Sequence, residues 1–316
     1  MAAALVRSIG ERARGTGLEV AWAQWSALTS VAAPAGGKRP RAIVDPEALV
    51  LLSLSLRGRD ARLDELVFAW ARRSSALLSV QRMTSLAETF PLAAREALGE
   101  FAAEAGDRRW RAHAGPAAEE RPPVRSSPLG PVRLTAGPAL LLRLRAGFGV
   151  GAKADLLAFL LGLRGASASV SLMAAATAYS GRAMRTAAEE MALAGFIERM
   201  DTAPVSYVAD HTAWAAVLRL LKLNAQRTPE VPQWRYWAVV FAFLADVDCW
   251  AREAQEEGWS AYQASSRARD LVADHARAVQ LAGLRLPDPE AGGGAAFLDD
   301  LAAEMDRVHA WCLKHL

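Results

Sequence analysis

Along this 316-residue chain, apolar positions recur mostly at helical spacing. Between residues 153 and 163, Leu156, Phe159, Leu160 and Leu163 stand three and four apart, which predicts a helix with one buried stripe. Gly165 ends it, because glycine readily takes the backbone angles that close a helix. A short alanine-rich helix follows over residues 170–178, with Ser169 placed to cap it. Tyr179-Ser180-Gly181 then forms a tight turn, and Ser180 caps a third helix. Met184, Ala187, Ala188 and Met191 share the inner face of that helix, and Arg182, Arg185, Thr186 and Glu189 share the outer one. Past Gly195 the period changes to two. Residues 196–200 alternate, residues 201–204 carry turn chemistry, and residues 205–208 return as a second strand.

The pattern on both sides is helical only. Residues 1–113 predict a helical domain whose first helix, over residues 2–28, is interrupted by Gly10, Gly15 and Gly17. Asp45 and Pro46 start a second helix reaching Leu56, with aspartate as cap and proline in the first turn. Further helices are expected over residues 64–73, 79–89 and 91–105. Residues 114–139 hold six prolines, too dense for helix or strand, and predict a linker. A short helix over residues 139–145 leads into the central module, assigned to residues 140–210. Residues 211–316 predict a bundle with helices over residues 212–224, 234–258, 260–283 and 295–316.

Composition narrows the class. With 52% apolar and 22% charged residues the chain reads as a globular protein. Residues 1–210 carry 26 basic against 20 acidic residues, and residues 211–316 carry 11 against 14. The asymmetry favours an anionic partner for the first two-thirds. Cys249 and Cys312 are the only cysteines, which rules out a disulfide framework and fits a reducing compartment. The N-terminus lacks a secretory pattern. The most apolar run, residues 236–245, is half of the roughly 20 residues that span a bilayer. A cytoplasmic protein away from the membrane is expected.

Three helices closed by a two-stranded wing, with the run YSGRAMRTAAEEMALAGFIER at residues 179–199, resemble the winged helix-turn-helix transcription regulators, the superfamily of MarR-like and ArsR-like proteins. The likeness covers the central module and leaves the flanks unmatched. It implies a mainly α fold in which a central winged helix-turn-helix is flanked by all-helical N- and C-terminal domains. It also implies sequence-specific binding of double-stranded DNA, with the third helix in the major groove and a homodimer on a two-fold site. Arg182, Arg185 and Thr186 would then contact bases, since arginine pairs with guanine and threonine touches the thymine methyl. Arg143, Arg145, Lys153, Ser180 and Arg199 would contact phosphate. The C-terminal helices would dimerise or sense a small-molecule or protein effector, and neither cofactor nor metal is expected. The alternative is a protein-interaction adaptor that uses the same module as a scaffold. A continuous positive face would favour the DNA reader.

Other signals have simpler explanations. The helical pair over residues 63–90 has the spacing of a second DNA-reading unit, with Gln81, Arg82 and Ser85 outward; a plain helical hairpin is the competing reading. The aromatics of WRYW, residues 234–237, are expected in a core rather than as a ligand cage. His309, Cys312 and His315 have metal-like spacing, but the outer two lie too far apart on one helix to share an ion unaided. No phosphate loop, GxSxG, HExxH or CxxC pair occurs, so the chain is not expected to be an enzyme.

Overall fold

A computed structural model describes residues 2–31, 40–113, 132–218, 231–290 and 294–316. These residues are mainly helical, with thirteen α-helices and one small antiparallel sheet. Helix α1 (Ala2–Leu28) runs unbroken through its three glycines, which corrects the interruption expected there. A Cβ on Gly10 would lie 2.4 Å from the Cβ of Ala251. That glycine therefore marks the close approach of α1 to α11 (Trp237–Glu256), and not a helix break.

Helix α2 (Pro46–Ser55) begins where expected: the Asp45 side chain accepts a hydrogen bond from the Ala48 N–H. Nine of its ten residues are buried, so it has no solvent face and lies in the interior. Around it pack α1, α3 (Ala61–Ser74), α4 (Val80–Ala87), α5 (Leu92–Ala105) and α11. Helix α12 (Ala261–Val279), opened by a capping box of Ser260 and Gln263, and α13 (Ala295–His315) complete this body. Val20, Trp25, Leu51, Trp70, Phe241 and Leu301 belong to one continuous apolar core. The two flanks, read along the sequence as separate helical domains, share it.

A second core belongs to the central module. It is built on α6 (Leu140–Phe148), α7 (Ala152–Gly162), β1 (Ala168–Ser169), α8 (Val170–Thr177), α9 (Gly181–Leu193), β2 (Glu198–Met200), β3 (Ser206–Val208) and α10 (His211–Val217). The strands lie in the order β1-β3-β2, with Tyr207 opposite Ala168 on one side and Arg199 on the other. Strand β1 is only two residues long, too short for any periodicity to announce it.

Backbone bonds tie the segments that lead into α2, α6 and α11 to one another and to the module. Ile43 N–H donates to the Gln233 carbonyl and Val44 N–H to that of Pro138, both at 2.9 Å. Trp234 N–H donates to Gly162 O, where a Cβ on the glycine would lie 2.6 Å from that nitrogen. Most of the expected linker (residues 114–131) and the later part of the helix expected over residues 212–224 lie outside the described residues. No helix among the described residues is long and apolar enough to cross a membrane.

Candidate nucleic-acid interface and the ionic cluster behind it

Helix α9 is held from behind and open in front. Ser180 Oγ accepts from Ala183 N–H at 3.2 Å, so the expected cap is in place. Met184, Ala187, Ala188 and Met191 are buried against α7 and α8. Arg182, Arg185, Thr186 and Glu189 face solvent. Among the described residues neither Arg182 nor Arg185 makes a hydrogen bond or ion pair, so both guanidiniums are free to engage a ligand. The turn before α9 is secured by Ala178, in a left-handed conformation, and by the buried Tyr179, whose hydroxyl donates to Ser79 Oγ at 3.0 Å. Burial pushes the Tyr179 phenol far above its ordinary range, so it remains a neutral donor.

Four of the expected contact residues come together. Lys153, Ser180, Arg182 and Thr186 line one groove of about 520 Å³ between α9 and the loop that enters α7. Lys153 pairs with Glu190 at 2.7 Å, but both side chains are about half exposed. Such a pair contributes only about 0–1 kcal/mol, so it yields readily to a phosphate. Arg185 lies on the exposed side of the same helix, Arg143 is half-buried on α6, and Arg199 on β2 stands 3.6 Å from Asp201.

Arg145 is a correction. It was expected at phosphate, yet its side chain is fully buried in an ionic cluster. Its Nε and Nη2 donate to the two oxygens of Asp155 at 2.7 and 2.6 Å, and Nη1 reaches Glu47 at 2.5 Å and the Leu77 carbonyl at 3.0 Å. Glu47 also takes Arg82 Nη1 at 2.6 Å and the Ser79 N–H at 2.8 Å. Arg82 grips both oxygens of Asp45, and its Nε donates to the Thr177 carbonyl at 2.7 Å. Arg82, too, was expected outward as part of a second reader. It points inward, while Gln81 and Ser85 face solvent.

The cluster decides how the module is mounted. Asp45, Glu47 and Arg82 come from the helical body; Arg145, Asp155 and the Thr177 carbonyl come from the module. Burial alone would raise the Glu47 pKa, but Arg145 and then Arg82 outweigh it and hold the carboxyl below its ordinary 4.5. Burial likewise opposes the charge on both arginines, and the surrounding carboxylates still raise their pKa. Three carboxylates face two guanidiniums, which leaves the cluster with one excess negative charge. Sequence reading found the cap at Asp45 but not the cluster, since its members are spread over 110 positions and meet only in space.

The remaining candidates settle as packing. Trp237 stacks on Phe241 and meets Trp311 edge-on, and Trp234 meets Phe159, so the WRYW tryptophans are core residues. His309 bonds Thr16 at 3.0 Å, while His315 packs on Trp311. Among the described residues no three metal-ligating side chains come together. No protein-family model, curated protein or solved structure matches the chain.

Proposed function

We propose that this chain is a sequence-specific DNA-binding transcription regulator of the cytoplasm, in which α7, α8, α9 and the three strands act as a winged helix. The observation that carries the reading is the outer face of α9: two unpaired arginines and a threonine near the N-terminus of a capped helix whose opposite face is locked in a core. Arg182, Arg185 and Thr186 read base edges in the major groove. Lys153, the Ser180 end of the helix, Arg143 and Arg199 approach the backbone phosphates, and two copies act together on a two-fold site. No catalysis and no cofactor enter this reading.

One observation favours a second reading, that of a protein-binding adaptor. Phe148, Phe196 and Trp214 pack together with ring centroids 5.7–5.9 Å apart, and both phenylalanines are exposed. Leu193 and Val217 stand out at 91% and 70% exposure, leaving an apolar surface at the far end of α9.

The deciding experiment is binding of the full chain to its own upstream promoter DNA and to random duplex across a salt series. A preference of about 10³ or more, with affinity falling steeply as salt rises, is the expected result. Weak binding without preference overturns the regulator reading in favour of the adaptor.

A further inference from the structure

A cavity of about 1080 Å³ opens where α5, α8, α11 and α12 approach one another. Phe90, Tyr236, Trp250 and Trp259 contribute aromatic surface to its wall. The same wall carries nine carboxylates against three arginines and one histidine, in a chain whose net charge is +3. The local sign is therefore opposite to that of the whole.

Five of the nine carboxylates have no partner in place: among the described residues, the side chains of Glu88, Glu96, Glu256, Asp270 and Asp274 make no ion pair or hydrogen bond. Asp246 is held by His275 at 2.6 Å. Arg252 turns toward the Cys249 sulfur rather than toward a carboxylate. Asp45 brings the ionic cluster, with its excess negative charge, to the edge of the same space.

The wall selects among ligands. Uncompensated carboxylates repel an anion. The apolar and aromatic surface suits a ligand body that a bare metal ion does not have, and no three metal-ligating groups converge among the described residues. An aromatic face next to carboxylates attracts an organic cation twice, through ring quadrupole and through charge. We propose that this cavity is a binding site for an organic cation with an apolar body, such as a quaternary ammonium or phosphonium compound. Its body lies against Trp250 and Trp259 and its charge faces the carboxylates of α11 and α12.

Ala175, Ala176 and Ala178 form part of the wall, and α9 starts at Gly181. An occupant thus leans on the element that positions α9, and occupancy shifts DNA affinity. This coupling rests on the regulator reading; the site itself does not.

The test is equilibrium dialysis of the full chain, without DNA, against tetraphenylphosphonium and tetraphenylborate, which share a shape and differ in sign. Saturable uptake of the phosphonium, at least about tenfold tighter than the borate, is expected. The double variant Asp270→Asn, Asp274→Asn should weaken the phosphonium about tenfold while its melting temperature stays the same. Equal uptake of both ions, no saturable uptake, or unchanged affinity in the variant overturns the site. With the promoter added, the phosphonium should change DNA affinity by about fivefold or more. Unchanged DNA affinity with the cavity filled overturns the coupling alone. Failure to prefer the promoter under any condition overturns the regulator reading, and the dialysis result still decides the site.

Discussion

The ionic cluster beneath the module and the outer face of α9 both present arginines on short helices. In the cluster, Arg82 and Arg145 have every direction filled by carboxylates and carbonyls and no exposure to solvent. On α9, Arg182 and Arg185 have no partner among the described residues and face solvent. The difference teaches that an arginine's role here is set by what lies opposite it. A guanidinium can be buried only where carboxylates compensate the lost hydration, and Asp45, Glu47 and Asp155 supply that below the module. Nothing comparable stands in front of α9, so those charges are left for a ligand.

The sharpest way to break this contrast is to remove one buried partner. Arg145→Met strands Glu47 and Asp155 in the interior and should cost about 3–5 kcal/mol of stability in denaturant unfolding. The same change at Arg185 should stay within about 0.5 kcal/mol. Equal losses at the two positions would mean that the cluster does not hold the module in place. DNA affinity should respond in the opposite order: Arg185→Ala should cost about 1–3 kcal/mol on the preferred site and relax selectivity there. A uniform loss on all sequences would demote Arg185 to a phosphate contact.

A smaller effect comes from the cap at the start of α9. Ser180→Ala frees the Ala183 N–H at the start of α9 and should destabilise the protein by about 1 kcal/mol, read from the urea midpoint.

The pH dependence sharpens the comparison last. Glu47 has a lower pKa folded than unfolded, so the unfolded chain takes up the proton first on acidification. The stability it confers is present above about 4.5 and is lost as the pH falls through the folded value. Glu47→Gln should therefore be less stable than the parent at pH 6 and show a flatter decline in urea midpoint toward pH 3. A decline as steep as the parent's would assign the acid sensitivity to other groups.

Much of the local structure is legible in the sequence. Ser169, Ser180 and Asp45 cap helices as their positions announce, because a cap depends only on neighbours three residues away. The inner and outer faces of α9 follow from helical periodicity alone. The glycines of α1 misled because glycine has two uses, and only the position of Ala251 shows that Gly10 serves close packing. Arg145 misled because a guanidinium is read as a surface group, and the carboxylates that draw it inward are 98 positions before it and ten after.

By itself, then, the sequence determined most of the helices, the caps at Asp45, Ser169 and Ser180, the two strands after α9 and the exposed face of α9, all of which rest on interactions within a few residues. Tertiary structure alone decided that the two flanks share one core, that Arg82 and Arg145 anchor the module from within, and that acidic and aromatic side chains enclose a common cavity. Burial and charge pairing act between residues far apart in the chain, and no local pattern records which distant partner will be present.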